Sequence, residues 1–323
     1  MSVPSNELMF WQFINQQIEA NEPVILLLVL ESKGSSPGRQ GFKMAVTAKE
    51  LKGSIGGGIM EHKFVELAKE KLSEINVESK IRKQFHHKSS SIDQSGMICS
   101  GEQTIFLYRI REKDLVPIEN MVASLLQNKN GTFSITSAGI NFSHHIPEKD
   151  FYFEMKSESD WQYNEKSGFK NHLYIIGGGH CSYALSKILS GLNFYIHLYE
   201  VRKKLNTLIT NTYVHENNFV DDYTSLNMLV PSGENNYVVI MTFGYRTDDI
   251  AVRTLINNNF KYIGVLGSKS KIEQLLDEWK SDGLNVDQLK KIKAPAGIQI
   301  KSQTPEEIAV SIAAEIIQVK NAE

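Results

Sequence analysis

The stretch from Leu173 to Glu200 constrains this chain more than any other. Leu173-Tyr174-Ile175-Ile176 is an apolar strand pattern that runs directly into Gly177-Gly178-Gly179-His180-Cys181-Ser182. Tyr183, Ala184, Ser186, Lys187 and Ile188 then begin a helical stretch, and Asn193 to Tyr199 reads as a second strand closed by Glu200. Strand, glycine turn, helix, strand and acid in this order read as a unit that binds the phosphates of a nucleotide, set against the plainer reading of a tight strand-to-helix turn. Gly177 permits the sharp turn, Gly179 lets a pyrophosphate approach the backbone, and the helix start offers bare N–H groups to anionic oxygen. His180 lies in the same turn, within reach of a ligand there. Glu200 stands where an acid accepts a ribose hydroxyl. The position of the third glycine is taken by Ser182, a small residue but not the usual one.

The C-terminal half extends this unit. Val238 to Met241, a helix near 248–258, Tyr262 to Gly267 and a helix from Lys271 to Lys280 alternate as in a doubly wound parallel sheet. The last helix is signposted by Thr304 as cap, Pro305 at the first helical position and Glu307 completing a capping box. These patterns predict an α/β chain with a C-terminal Rossmann-like, doubly wound parallel sheet over residues 172–323. The N-terminal part reads as helix 7–20, a buried strand 24–31, a strand near 43–48, a helix from Glu61 to Ile75 and a strand from Gln103 to Tyr108. A helical stretch from Pro117 to Gln127 and turn-broken β patterns up to Met155 follow, so an α+β domain is expected over residues 1–156. The polar residues 157–171 predict a linker. A chain of 323 residues is long enough for two domains, each with its own core.

Composition excludes several classes. Apolar residues at 41% and charged residues at 22% are ordinary for a globular protein. A net charge of −2 gives no electrostatic footprint for nucleic acid and no polybasic segment for a membrane surface. Val24 to Leu30 is too short to span a bilayer, and the amphipathic start around Trp11 lacks the basic region and cleavage site of a signal peptide. Two cysteines, Cys99 and Cys181, make no disulfide framework and predict a reducing, cytoplasmic setting.

Two N-terminal loops carry unusual composition: Lys33-Gly34-Ser35-Ser36-Pro37-Gly38-Arg39-Gln40-Gly41 and Gly53-Ser54-Ile55-Gly56-Gly57-Gly58-Ile59-Met60-Glu61. Two readings stand side by side. They form either a hairpin loop and a tight strand-to-helix turn, or a nest of backbone N–H groups for an anion, with Arg39 and Lys43 supplying charge. Cys99, in Met97-Ile98-Cys99-Ser100-Gly101, is either a small buried hydrophobe or a loop thiol able to ligate a soft metal. His86-His87 and His144-His145 read as solvated loop residues, since no zinc-ligand spacing accompanies them. Asp248-Asp249 begin a helix, where acids complement the dipole. No framed serine with downstream His and Asp supports hydrolase chemistry.

Taken together, these segments resemble the XdhC/CoxI family of accessory factors for xanthine dehydrogenase and carbon monoxide dehydrogenase. The likeness rests on Gly34-Ser35-Ser36-Pro37 with Arg39, Gly41 and Met44; Gly53 to Gly58 with Glu61; Cys99-Ser100-Gly101; Gly177 to His180; and Tyr262 to Ser268 with Thr304 to Ile316. Where family members often carry a cysteine pair, this chain has Ile98-Cys99-Ser100, so one thiol at most contacts a metal. The resemblance implies a factor, more non-catalytic than enzymatic, that binds the molybdenum cofactor as molybdopterin or its dinucleotide form. It shields the cofactor during sulfuration by a cysteine desulfurase and delivers it to an apo xanthine dehydrogenase-type molybdoenzyme. The site residues so implied are Arg39, Gly56, Gly57, Gly58, Glu61, Gly177, Gly179, His180 and Glu200, with Cys99 on the metal and one guest shared by the two glycine turns. A homodimer suits such a protein. The alternative is an NAD-dependent oxidoreductase using the same turn, with Glu200 on the ribose.

Overall fold

Val24 to Leu30 is buried on both sides because its strand is a shared wall between two hydrophobic cores. The computed structural model describes residues 4–74, 80–85 and 101–322, and the chain falls into two units, Asn6–Gly168 and Phe169–Glu323. The first unit contains α1 (Asn6–Glu19), β1 (Ile25–Gly34), β2 (Lys43–Val46), β3 (Leu51–Gly53), α2 (Gly58–Leu72), β4 (Lys80–Phe85) and β5 (Gly101–Arg109). It continues with α3 (Leu115–Leu126), β6 (Gly131–Thr136), β7 (Gly139–Ser143), β8 (Phe151–Met155) and β9 (Trp161–Ser167).

β1 sits at the centre of a five-stranded sheet of order β3-β2-β1-β5-β4 and pairs antiparallel with β2 and β5. Side chains alternate across a strand. Ile25, Leu27 and Val29 therefore meet Met60, Phe64, Val65 and Ala68 of α2. Leu26, Leu28 and Leu30 face the other way, into a core with Trp11 and Ile14 of α1, Ile118 and Met121 of α3, and Phe133, Trp161 and Tyr163. Each such side chain contributes roughly 1.5–3 kcal/mol relative to exposure.

The last three of those aromatics come from a second, four-stranded sheet of order β7-β6-β9-β8. Here the structure corrects the expected linker. Residues 157–171 include β9, which lies between β6 and β8, so the first unit runs to Gly168 rather than ending at residue 156. The strand is hidden in the sequence because its inward positions are Trp161, Tyr163, Glu165 and Ser167, two apolar and two polar. Glu165 is tolerated there because Lys43 of β2 donates to both its oxygens, at 2.9 and 2.8 Å, and Tyr163 OH donates at 3.0 Å. This ion pair, with side chains 13% and 8% exposed, ties the two sheets together. Glu7 lies nearby; burial raises its pKa, and it accepts from Ser167 Oγ at 2.8 Å and Gly168 N at 2.9 Å.

The second unit contains β10 (Asn171–Ile176), α4 (His180–Ser190), β11 (Phe194–Glu200), α5 (Asn206–Ile209), β12 (Glu216–Phe219), α6 (Leu226–Leu229) and β13 (Gly233–Ile240). It closes with α7 (Tyr245–Leu255), β14 (Phe260–Val265), α8 (Lys269–Ser281), α9 (Val286–Leu289), β15 (Ile292–Lys293) and α10 (Pro305–Lys320). Its six strands are all parallel, in the order β12-β11-β10-β13-β14-β15. Leu173 and Ile175 pack with α4 and α10 on one face, while Tyr174 and Ile176 pack with α7 and α8 on the other. This is the doubly wound arrangement expected, and the order reverses between β10 and β13, where such sheets open a crevice. Thr304 accepts from Glu307 N in the expected capping box, with Pro305 at the first helical position. α7 begins just after Gly244, earlier than the 248 start expected; Asp248 lies in its first turn, as expected of an acid there, and also accepts from Thr242 N at 3.0 Å. The short edge strand β12 is held by side chains: Glu216 accepts from Tyr195 OH at 2.9 Å and sits 2.9 Å from His197 Nδ1, whose ring reaches His172 at 3.1 Å.

Lys43→Ala leaves Glu165 charged and buried without its cation. Such losses cost about 3–5 kcal/mol, which chemical denaturation would read as a lowered unfolding midpoint. The double change Lys43→Met with Glu165→Leu removes both charges and should recover most of that loss.

Candidate functional site

In the second unit the turn after β10 has a separate cause for each glycine. Gly177 has φ +108, and a Cβ on it would lie 2.4 Å from Met241 O. Gly178 is backed by Leu208, 2.6 Å from where its Cβ would stand. Gly179 is different. Its φ of −76 suits any residue, and among the described residues no atom beyond its chain neighbours lies within 4 Å of its Cβ position. Nothing among the described residues therefore requires a glycine there, whereas a ligand approaching the backbone would. Gly179 is also the N-cap of α4 and makes no side-chain cap, so the helix begins with bare N–H groups beside the exposed His180. Ser182 is fully buried, and its Oγ has no partner among the described residues.

Glu200 closes β11 as expected, but its carboxylate is already engaged. Oε2 accepts from Gly178 N at 2.7 Å and from Arg202 Nη2 at 2.7 Å. Oε1 accepts from Val201 N at 2.9 Å, and from Arg202 N and Nε, each at 3.0 Å. Burial alone would raise the Glu200 pKa; the hydrogen bonds and charge of Arg202, with the Gly178 N–H, outweigh it and hold the group below its ordinary value. Arg202 in turn lies over the Phe243 ring, 4.5 Å from its centroid. Sequence reasoning gave Arg202 and Phe243 no role; the signal available was the basic run Arg202-Lys203-Lys204 directly after a strand.

In the first unit the glycine loops meet each other. A Cβ on Gly38 would lie 2.0 Å from Ile55 O, and one on Gly56 would lie 2.4 Å from Gly38 N, so the loops approach backbone to backbone. The fully buried Gln103 donates to Ile55 O at 3.3 Å, and Gly101, paired with Gly34, packs on Ser36 N. Part of the nest expected at Gly56 to Gly58 is engaged from within. Glu61 Oε2 accepts from Ser54 Oγ at 2.6 Å, Ile55 N at 2.9 Å and Gly57 N at 3.0 Å. Burial works to raise the Glu61 pKa, and these bonds together lower it. Gly58 opens α2. Arg39 is exposed and donates to Gly34 O at 3.1 Å, while Lys43, held by Glu165, is not free to meet an anion.

A family model described as the XdhC Rossmann domain matches residues 173–316, and one described as the XdhC and CoxI family matches residues 17–76. Together they account for more than half of the sequence. The chain belongs to the XdhC and CoxI family. It is 25% identical over 310 residues to the Escherichia coli K12 protein YqeB, which covers 94% of this chain and 44% of that protein. It is 35% identical over 82 residues to a Bacillus subtilis 168 protein named as a probable xanthine dehydrogenase subunit, covering 25% of this chain and 23% of that protein. The XdhC-family chain thus spans less than half the length of these relatives. The crystal structure of a Bacillus halodurans protein described as a xanthine dehydrogenase shares its fold, with a TM-score of 0.69 at 21% identity, over 99% of this chain and 96% of that one.

The family's segments map onto both units. Gly177, Gly179, His180 and Glu200 gather at one turn of the XdhC Rossmann unit, and Gly56, Gly57, Gly58 and Glu61 gather at the start of α2, with Arg39 on the loop packed beside them. Cys99, named as the metal contact, lies outside the described residues, as do His86 and His87. Among the described residues no group of His, Cys, Asp and Glu is arranged to hold a metal ion, and no helix is long and apolar enough to cross a membrane. Cys181 is half-buried against the core under α4, and burial raises its thiol pKa, in keeping with packing.

Glu61 gives a pH signature. Its folded pKa lies below the ordinary 4.5, so the stabilisation is complete above that pH and is lost as pH falls through the lower folded value. Glu61→Gln should lower the thermal midpoint at neutral pH, with the gap to the parent chain closing in acid. A gap that stays constant across the series would show that the charge does not hold the loop.

Proposed function

We propose that this chain is an accessory factor for a xanthine dehydrogenase-type molybdoenzyme, binding the molybdenum cofactor, protecting it during sulfuration by a cysteine desulfurase and passing it to the apo-enzyme. Family membership supports the accessory role. The observation that supports cofactor binding is Gly179: an open, unstrained glycine at an uncapped helix start, which an outside ligand explains and no contact among the described residues does. Phosphate oxygens of the cofactor fit the N–H groups of that helix start, with His180 beside them. Its molybdenum–dithiolene centre supplies redox chemistry to the client, and Cys99 is the thiol we assign to it here. In the first unit, the glycines at 56–58 are held in shape by Glu61, so they serve as a preformed loop with Arg39 at its edge. No side chain is assigned a turnover step. Transfer of a guest between proteins calls for reversible binding, and the working form we assign is a homodimer in the cytoplasm.

An NAD-dependent oxidoreductase is the alternative, favoured by the strand order of the parallel sheet. It is less well served by Glu200, whose oxygens are occupied.

Gly179→Asp separates stability from binding. Aspartate is a favoured N-cap, so the unfolding midpoint should hold or rise, while its charge repels phosphate. Retention of molybdenum and of pterin fluorescence after incubation with cofactor should fall by about tenfold or more. Retention equal to the parent chain would remove the turn from the site. Cys99→Ala should lower retained molybdenum with less effect on the pterin, and NAD+ turnover with an aldehyde by the parent chain would favour the oxidoreductase.

A further inference from the structure

We infer that the carboxyl end of β11 receives a phosphomonoester rather than a free ribose diol, with Arg202 as the residue that decides between them; this rests on reading the Gly177–Gly179 turn as a phosphate-binding site. A diol is recognised by an acceptor with open lone pairs, which is the usual task of the acid at this position. A carboxylate has about four lone-pair sites. Glu200, with no exposed surface, already receives five protein donors within 3.0 Å, from Gly178, Val201 and Arg202. No acceptor is left there for two ribose hydroxyls.

Donors and positive charge are left over. Arg202 spends Nε and Nη2 on Glu200, while Nη1 has no hydrogen bond among the described residues, and its side chain is 35% exposed. The Phe243 ring fixes the plane of the guanidinium. Lys203 and Lys204 follow directly and are exposed, so one acid is set against three bases in five residues. Because Glu200 is already neutralised by Arg202, a dianion beside it meets a net positive rim. A phosphomonoester supplies both the acceptors and the charge this rim lacks. Two molecules carry one: NADP+, which differs from NAD+ only by its 2′-phosphate and keeps its pyrophosphate for the turn, and molybdopterin, whose single phosphate would be shared between the helix start and this rim and becomes a pyrophosphate in the dinucleotide form.

Titration calorimetry on the full chain tests this with four probes: NADP+, NAD+, molybdopterin and its dinucleotide form. The phosphomonoester member of at least one pair should bind about tenfold tighter or better than its partner, and the pair that shows it identifies the source. Arg202→Leu would strand a buried carboxylate and threaten the fold, so Arg202→Lys is used, which keeps Glu200 paired but offers no second edge. A separate Lys203→Ala/Lys204→Ala variant changes exposed side chains alone. Both should shrink the preference severalfold, and the Lys203→Ala/Lys204→Ala variant should do so with an unchanged unfolding midpoint. Equal or weaker binding of both phosphomonoesters, or a preference untouched by either variant, overturns the inference while leaving the turn as a phosphate site. Binding of none of the four overturns the reading of the turn itself.

Discussion

Backbone N–H groups released by a glycine turn require an acceptor, and both glycine turns of this chain find one in a carboxylate of the same local unit. Glu61 gathers Ser54, Ile55 and Gly57; Glu200 gathers Gly178 and its own successors. The consequence is rigidity without a ligand. A loop of three glycines would otherwise sample many conformations at large entropic cost on ordering, whereas an internal anion selects one of them. In the second unit, this leaves the α4 start and Gly179 as the accessible part of the turn.

The same constraint explains why two turns that look alike in sequence are different objects. At Gly56–Gly58 the acid comes from the helix that follows, four residues beyond the loop's amide at Gly57, so turn and helix start are one closed piece. At Gly177–Gly179 the acid comes from the next strand and brings a guanidinium with it. The rim of the second turn is therefore shaped by β11 as much as by the glycines themselves.

Much of the fold was legible because apolar periodicity was strong where cores are single. The parallel sheet, the capping box at Thr304 and the double-sided burial of β1 all follow from pattern and propensity. β9 was illegible because half of its inward positions are polar and satisfied by partners far away in sequence: Lys43 for Glu165 and Glu7 for Ser167. The candidate site was legible as positions in the fold. Gly177, Gly179 and Glu200 stand in the expected places, but pattern cannot tell whether a carboxylate faces a ligand or is consumed by its neighbours. That depends on Arg202 and Phe243, which are brought over the turn only by the strand order. Lys43 shows the converse: a cation beside a glycine loop in sequence is spent on a carboxylate of another sheet.

The placement of β9 also bears on how the molecule can be divided. A cut at residue 156, where polarity suggests a seam, would excise the strand that joins β6 to β8. Two rows of hydrogen-bonding groups would be laid open, with Phe133 and Tyr152 beside them, and Lys43 would lose its counter-ion. Open strand edges of that kind invite pairing with other chains. The natural place to separate the halves is the short step between Ser167 and Asn171, where one sheet has finished and the other has not yet begun.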